Sequence, residues 1–235
     1  MAAAAPAAPS AEEEWFPEHV ARRFLDECAG SGVEVVLDVG ANTGQFAQGL
    51  RRSGYAGQIV SFEPLSEAHA ALSKAAADDP LWDVAARCAL GAAEGQAEIN
   101  VAANSYSSSL LPMLAAHEEA APHSAYRDKE SCAVITLDSF VARSFADPTV
   151  SFGLKIDTQG FEAAVLAGAA RTLPQVNVVL CEMSLVPLYE GAPSMIELSR
   201  MLAAQGFRCV ALGPAFEDPR SGDLLQVDGV FARRG

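Results

Sequence analysis

Apolar and mixed segments alternate along the chain, and this alternation predicts the elements of a layered domain. Short continuous apolar runs predict buried strands, and apolar residues at every third or fourth position predict helices that cover them. In the first half the predicted strands are residues 33–39, 58–62 and 82–90, and the predicted helices are residues 15–29, 44–53 and 66–77. Strands that alternate with helices in this way indicate a mostly parallel sheet with helices on both faces.

The second half continues the alternation with one interruption. Its predicted elements are strands 98–102, 132–137, 152–157, 176–182, 207–212 and 226–233, and helices 161–173 and 194–205. The connection between the last two strands is too short to hold a crossover helix comfortably, so this pair should be antiparallel. The interruption is a polar, small-residue stretch, for which we predict a mobile lid.

Length and composition are those of one domain of ordinary size. The chain has 235 residues, of which 50% are hydrophobic and 20% are charged, so it can bury a full core. We assign residues 1–14 to a disordered Ala/Pro-rich tail and residues 15–235 to a single domain. Within that domain we predict an N-terminal helix over residues 15–30 and an insertion over about residues 103–131.

Charge and cysteine usage restrict the classes of partner and compartment. The net charge is -14, and no basic cluster is long enough to follow a phosphate backbone, so a nucleic-acid partner is not expected. The five cysteines are dispersed, which predicts free thiols in a reducing cytoplasm. The N-terminus lacks the pattern of a signal peptide, and no apolar run approaches roughly 20 residues. These features predict a cytoplasmic protein without membrane contact.

The turn after the first predicted strand is the strongest candidate for a ligand site. Asp38 ends the apolar run, and Gly40, Asn42 and Gly44 follow at alternate positions before a helix begins. Glycine permits a left-handed backbone and close approach of a ligand, and asparagine tolerates the same backbone region. The acid precedes the glycines, unlike in the G-x-G-x-x-G fingerprint, which argues against NAD. A tight turn without a ligand is the alternative.

Four predicted strands end in an acidic residue, which indicates a common site. These residues are Asp38, Glu63, Asp157 and Glu182, and the carboxyl ends of parallel strands share one edge of a sheet. Glu63 ends the strand after Asp38, where a carboxylate can accept both hydrogen bonds of a ribose diol. Adenosine is therefore the predicted ligand fragment, although each acid taken alone is also explained as a helix cap or a loop charge.

These segments resemble the FkbM-type family of S-adenosylmethionine-dependent methyltransferases. The resemblance rests on VVLDVGANTGQFA, SFEP, ALGAAEG, ITLDSF, LKIDTQGFEAAVLAGA and VVLCE, which cover most of residues 33–182. It implies a Rossmann-like class I methyltransferase fold, α/β, with a seven-stranded, mostly parallel sheet, an antiparallel last strand and helices on both faces. The alternation of elements described above leads to the same architecture.

The resemblance also implies the cofactor and the reaction. It places S-adenosylmethionine along the residues Asp38, Gly40, Asn42 and Gly44 for its methionine part, Glu63 for its ribose, and Ala89 and Leu90 for its adenine. The implied reaction is methyl transfer to a hydroxyl of a small metabolite such as a sugar, a polyketide or another natural-product scaffold. Transfer to nitrogen, a nucleotide-binding module without catalysis and an NAD-dependent reductase remain alternatives. The oligomeric state stays open, with a homodimer as one option.

An aliphatic hydroxyl is a poor nucleophile, so a base or a metal should assist its proton loss. We predict Asp157 as the first choice of base and Glu182 as the second. Alternatively, both carboxylates bind Mg²⁺, which lowers the pKa of the acceptor. His117 and His123 in the insertion are further candidates for the base, although histidines on a surface are more often bystanders.

The insertion also carries the predicted contacts with the acceptor. Tyr106, Ser107, Ser109 and His123 can supply hydroxyl and ring groups to a polyhydroxylated molecule. The same composition is also typical of a flexible linker.

Overall fold

The computed structural model describes residues 18–233. The predicted tail over residues 1–14 and the start of the predicted first helix therefore lie outside the described residues. The helices are α1 Glu18–Gly30, α2 Gln45–Arg52, α3 Ser66–Ala76, α4 Ala115–Ala120, α5 Leu137–Ser144, α6 Glu162–Ala167 and α7 Met195–Ala204. The strands are β1 Val35–Val39, β2 Gln58–Phe62, β3 Trp82–Val84, β4 Cys88–Leu90, β5 Gly95–Ala102, β6 Tyr126–Ile135, β7 Phe152–Ile156, β8 Val176–Ser184, β9 Phe207–Glu217 and β10 Leu224–Arg233.

Seven of these strands form the main sheet, in the order β3-β2-β1-β7-β8-β10-β9. Within this sheet, β3, β2, β1, β7 and β8 run parallel to one another, and β10 is antiparallel to both β8 and β9. The predicted fold class and the predicted antiparallel pair are therefore confirmed. After β3 at one edge, the chain returns to the centre of the sheet, where β7 pairs with β1 in parallel. The carboxyl ends of β1 and β7 therefore lie side by side.

A second sheet of three strands, in the order β4-β6-β5, corrects the prediction of one strand over residues 82–90. That segment is divided: β3 belongs to the main sheet and β4 to the second sheet. Arg87 lies between them and donates to the carbonyl oxygens of Pro64 and Ser131 at 2.8 and 3.1 Å. Because Ser131 belongs to β6, the bond to it holds the segment after β3 against the second sheet.

The insertion over residues 103–131 contains regular structure. It holds α4, a short 3₁₀ turn at Pro122–Ser124 and the first part of β6, which begins at Tyr126. The strand predicted over residues 132–137 is thus longer at its start, and Leu137 begins a helix that the pattern did not predict. Thr136 caps this helix by accepting a hydrogen bond from the backbone N–H of Ser139.

The helix predicted over residues 161–173 ends at Ala167 because of close backbone packing. Gly168 follows it, and a Cβ atom there would collide with the carbonyl oxygen of Gly91. The carbonyl oxygen of Gly168 also accepts a hydrogen bond from the N–H of Asp138 at 2.9 Å. The contact with the turn after β4 therefore ends the helix early.

Apolar clusters cover both faces of the main sheet and fix its position. Successive strand residues point to opposite faces, so Val36 and Leu37 enter different clusters. Leu37 packs with residues of α5, α6 and α7, and Val36 with residues of α1, α2 and α3. Fully burying one such side chain contributes about 1.5–3 kcal/mol. Packing from two sides holds the carboxyl ends of the strands in place.

None of the helices within residues 18–233 is long and apolar enough to cross a bilayer.

Candidate active site

A cavity opens at the carboxyl ends of β1, β2, β4 and β7. Its volume is about 640 Å³, which includes open solvent at its entrance. Its wall includes seven residues that the sequence analysis assigned to the site, which are Gly40, Asn42, Glu63, Ala89, Leu90, Tyr106 and Asp157. Apolar side chains supply much of the remaining wall, among them Leu65, Ile99, Leu110 and Phe161. The structure therefore brings residues from both halves of the sequence to one crevice.

The glycines of the turn after β1 accommodate this chain's own atoms. A Cβ atom on Gly40 would collide with the carbonyl oxygen of Asp157, and one on Gly44 would lie 2.8 Å from the Trp82 ring. Both glycines have positive φ, 77° and 95°. Gly40 lines the cavity, whereas Gly44 is absent from its wall and is packed against Trp82. Packing within the chain is thus a sufficient reason for both glycines.

Asn42 joins the turn to two other segments. Its φ is 47°, in the left-handed region that the sequence analysis expected for it. Its backbone N–H donates to Glu63 Oε2 at 2.8 Å, and its side-chain Nδ2 donates to Ser105 Oγ at 3.2 Å. The Oδ1 atom accepts from the N–H of Thr43 at 2.9 Å. Asn42 therefore links the end of β2 and the insertion to the turn.

Glu63 is a buried carboxylate on the cavity wall. Its Oε2 accepts from the N–H of Asn42, and its Oε1 accepts from the N–H of Leu65, both at 2.8 Å. Burial raises its pKa to about 7, although these two hydrogen bonds favour the ionised form. A carboxylate has about four acceptor positions, so each oxygen keeps capacity for another donor.

Asp38 lies in the core and does not reach the cavity wall. The side chain has 0% exposure, and its Oδ2 accepts from Ser61 Oγ at 3.0 Å. Trp82 Nε1 in turn donates to Ser61 Oγ at 3.0 Å. Burial raises the pKa of Asp38, and the charge of Lys155 opposes this effect. Asp38 therefore belongs to a buried polar row across the sheet, and its contact with the cofactor stays a prediction.

Lys155 is a functional-site residue that the sequence analysis missed. Its Nζ donates to the carbonyl oxygen of Gly40 at 2.7 Å and lies 3.4 Å from Asp38 Oδ1 and 3.6 Å from Asp157 Oδ2. Burial lowers its pKa, but Asp157 and Asp38 outweigh burial, so the net shift is upward. The sequence did contain a signal, which is a lysine within the apolar run of β7. Lysine is almost never fully buried unless it is paired.

Asp157 and Glu182 lie together, at the ends of the adjacent strands β7 and β8. The side-chain Nε2 of Gln159 donates to Asp157 Oδ1 at 2.8 Å and to Glu182 Oε2 at 2.7 Å. The structure thus pairs the two acids that the sequence analysis selected, and adds a glutamine between them that it did not select.

This geometry does not support the predicted Mg²⁺ site at Asp157 and Glu182. The amide nitrogen of Gln159 takes the gap between the two carboxylates, where a shared cation would have to lie. Across residues 18–233, no three His, Cys, Asp or Glu side chains are grouped so that they could hold a metal ion.

Asp228 extends the acid pair on the antiparallel strand β10. It lies directly opposite Glu182 in the register, and Gln226 Nε2 donates to Glu182 Oε2 at 2.8 Å. Burial, followed by the charges of Asp157 and Asp228, raises the pKa of Glu182 well above its ordinary value. Burial and Asp157 raise the pKa of Asp228 to about 7. Sequence analysis did not select Gln226 or Asp228, although they alternate with apolar residues.

Of the four predicted acceptor contacts, only Tyr106 lines the cavity, with 44% of its surface exposed. Ser109 is buried and its Oγ donates to the carbonyl oxygen of Gln159 at 2.7 Å. Ser107 is also buried, with its Oγ 3.2 Å from His117 Nε2. His123 is exposed at the surface, away from the cavity wall. The structure thus assigns the two serines to holding the insertion in place.

His117 is buried and is absent from the cavity wall. Its ring packs against Tyr189 and Phe216, with both pairs of ring centroids 5.2 Å apart. Burial lowers the pKa of His117 to about 4, and His123 adds to this effect. The ring is therefore neutral at neutral pH and belongs to the packing of the insertion.

Several solved methyltransferase structures are similar to this chain. The suggested tRNA (m1A22) methyltransferase Sp1610 from Streptococcus pneumoniae, in complex with S-adenosyl-L-methionine, has a TM-score of 0.50 at 13% identity, over 90% of this chain and 72% of that chain. Magnesium protoporphyrin IX methyltransferase (ChlM) from Synechocystis PCC 6803, with the same cofactor bound, has a TM-score of 0.47 at 9% identity, over 92% and 79%. The suggested RNA methyltransferase PH1948 from Pyrococcus horikoshii has a TM-score of 0.46 at 14% identity, over 97% and 91%.

Sequence comparison identifies the family. No curated protein sequence matches the chain. The profile of the methyltransferase FkbM domain matches residues 38–209, which is well over half of the chain. This match contains the turn after β1, the acids at the ends of β2, β7 and β8, and the whole insertion. The chain therefore belongs to the FkbM methyltransferase family.

Proposed function

We propose that this methyltransferase uses S-adenosylmethionine to methylate a hydroxyl of a small metabolite. The observation that carries the proposal is the buried carboxylate of Glu63 on the wall of a mostly apolar cavity at the carboxyl edge of the sheet. Ligands of open α/β sheets bind at this edge.

The residues of the cavity suit an adenosyl group. Glu63 keeps acceptor capacity on both oxygens for the two hydroxyls of a ribose. Leu65, Leu90 and Ile99 offer an apolar wall for a purine ring. The carboxylates of the site also favour the positive charges of the cofactor. When bound, S-adenosylmethionine supplies an electrophilic methyl group on a cationic sulfur.

The remaining task of the chain is to take a proton from the acceptor and to orient it. We assign the proton to Asp157, which lines the cavity, with Glu182 as the second candidate. A base works best when its pKa lies near the operating pH, and burial shifts Glu182 in that direction. Tyr106 is our candidate for an acceptor contact, because it lines the cavity. Alignment of the acceptor oxygen accounts for much of the remaining rate.

Two other acceptor classes are outcomes of the test. Transfer to nitrogen uses the same fold, and Sp1610 and PH1948 are named as suggested RNA-modifying enzymes. The net charge of -14 favours a small molecule over RNA, since a polyanion would be repelled.

Calorimetric titration with S-adenosylhomocysteine and, separately, with NAD tests the cofactor. We expect binding of S-adenosylhomocysteine and none of NAD. Transfer of a radiolabelled methyl group is then followed with sugars and hydroxylated polyketides, with amines, and with RNA. Label in the hydroxylated molecules supports the proposal. Label only in amines or in RNA overturns the acceptor class, and binding of NAD alone overturns the cofactor.

A further inference from the structure

The acid pair at the ends of β7 and β8 is bridged by a neutral side chain. Gln159 donates one hydrogen bond from Nε2 to Asp157 and a second to Glu182, at 2.8 and 2.7 Å. Hydrogen bonds to ionised groups are stronger than bonds between neutral groups. The amide therefore stabilises both carboxylates without adding a charge of its own.

The amide of Gln159 has a further partner at its other end. Tyr189 is fully buried, and its hydroxyl lies 2.8 Å from Gln159 Oε1. The same hydroxyl lies 3.2 Å from the carbonyl oxygen of Ser107 and has one hydrogen to donate. A flipped amide would turn its oxygen towards Asp157 and Glu182, which are also acceptors. The two acids therefore select this orientation, in which the Tyr189 hydroxyl can donate to Oε1.

The backbone around Gln159 is also held from several sides. Its φ is 53°, in the left-handed region that residues other than glycine seldom adopt. Its carbonyl oxygen accepts from Ser109 Oγ at 2.7 Å. On either side, the N–H groups of Thr158 and Gly160 donate to the buried Glu162 Oε1 at 3.1 and 3.0 Å. A strained residue with this many partners is placed by the surrounding structure.

We propose that Gln159 is a positioning residue for catalysis, which fixes the relative placement of Asp157 and Glu182, and that Tyr189 supports it by donating to the amide oxygen. The proposal deepens the proposed function and rests on it for the role of the two acids. It also connects the insertion to the two acids, because Ser109 of the insertion donates to the carbonyl oxygen of Gln159.

Charge balance explains why such a bridge is needed. Asp157, Glu182 and Asp228 lie near one buried cation, Lys155, which also contacts Asp38 and the carbonyl oxygen of Gly40. Carboxylates at short range raise each other's pKa. Without the amide, the repulsion between Asp157 and Glu182 is relieved at the lowest free energy when one of them binds a proton. A protonated acid cannot serve as the base.

Carbon-13 NMR of labelled aspartate and glutamate carboxyl groups in the full, unliganded chain tests this. Gln159→Met keeps the length of the side chain and removes the donors. We expect it to change the carboxyl chemical shifts of both Asp157 and Glu182 and to move the titration of Glu182 to higher pH. The matched control is Gln226→Met, because Gln226 donates to Glu182 alone of the pair. It should change the chemical shift of Glu182 and leave that of Asp157.

A second pair of variants tests the support by Tyr189 in a milder way. Tyr189→Phe should change the same two carboxyl signals in the same directions as Gln159→Met, by less. Tyr55→Phe is its control, because the Tyr55 hydroxyl bonds to the carbonyl oxygen of Gln58 at the start of β2, away from the acid pair. It should leave both signals unchanged.

The proposal is overturned if Gln159→Met leaves the Asp157 signal in place, or if Tyr189→Phe has no more effect than Tyr55→Phe. The measurement needs no cofactor or acceptor. If the protein shows these NMR changes but does not bind S-adenosylhomocysteine, the proposed function is contradicted and the bridge by Gln159 is supported. The reverse result contradicts the bridge alone.

Discussion

The two halves of the carboxyl edge hold their acidic side chains by different donors. Over β1 and β2, Glu63 is held by the backbone N–H groups of Asn42 and Leu65. Over β7 and β8, Asp157 and Glu182 are held by the side-chain amide of Gln159. Backbone donors are fixed by the turn itself, whereas a side-chain donor is lost by one substitution. The first half suits a constant ligand, and the second suits chemistry that varies with the acceptor.

Lys155 joins the two halves. Its ammonium group contacts Asp38 under the first half and Asp157 in the second, and it donates to the carbonyl oxygen of Gly40 between them. A change at Lys155 should therefore affect both halves, whereas changes at Glu63 and Asp157 should separate binding from turnover.

The largest effect is expected for Asp157→Asn, which removes the proposed base. Turnover with an identified acceptor should fall by about 10²–10⁴-fold, the usual contribution of general-base catalysis. The affinity for S-adenosylhomocysteine, measured by calorimetry, should change little. A loss of affinity as large as the loss of turnover would show that the two halves are not separate. The exposed Asp128→Asn serves as the control and should change neither quantity.

Lys155→Met should cost about 3–5 kcal/mol of unfolding free energy, because it leaves buried carboxylates without their cation. Urea denaturation measures this loss. Adding Asp38→Asn to the same chain removes one of the uncompensated charges and should recover part of the stability. Equal stability of the single and double variants would contradict the pairing of Lys155 with Asp38.

Glu63→Gln should weaken S-adenosylhomocysteine binding by about 10- to 100-fold, since hydrogen bonds to a charged group contribute roughly 1.5–3 kcal/mol. Turnover at saturating cofactor should stay near that of the wild type. In the wild type, affinity should also fall as the pH drops below 7, because burial raises the pKa of Glu63 to about 7 and the protonated acid loses acceptor capacity. A binding constant that does not vary between pH 6 and pH 8 would argue against this role.

The smallest effect concerns the charge of Asp228. Burial raises its pKa to about 7, so the folded chain binds this proton more tightly than the unfolded chain. Its contribution to stability is full below about pH 4 and is lost as the pH rises through 7. A rise in pKa from 3.8 to about 7 corresponds to roughly 4 kcal/mol for a fully buried group, but Asp228 is only half-buried. Asp228→Asn should therefore be about 1–2 kcal/mol more stable than the wild type at pH 8, with little difference at pH 4. Urea denaturation at both pH values measures this, and a variant that is less stable at pH 8 would contradict it.

Local sequence was sufficient for the first half of the edge. The apolar run of β1, the glycine-rich turn and the acid at the end of β2 are neighbours in sequence, and Gly40, Asn42 and Glu63 all line the cavity. Even there, the reason for Gly44 depends on Trp82, which comes from another strand. Turn chemistry predicts the backbone conformation but not the atoms that press against it.

The second half depends on contacts between distant segments. Gln159 gains its role only when β7 pairs with β8, and Gln226 and Asp228 only when β10 pairs with β8. Tyr189 gains its role only when its segment packs against Gln159. The small-residue stretch within residues 103–131 gave no sign that β6 begins at Tyr126, because β6 is defined by its pairing with β4 and β5. Register across strands, rather than pattern along one strand, determines this part of the site.

A crystal structure of the chain with S-adenosylhomocysteine tests the central claim most directly. The account predicts the adenosyl group in the cavity, with both ribose hydroxyls on Glu63, the purine beside Leu90, and the sulfur on the side of Asp157. A ligand bound elsewhere on the protein, or a ribose that does not contact Glu63, would contradict the assignment of this cavity to the cofactor.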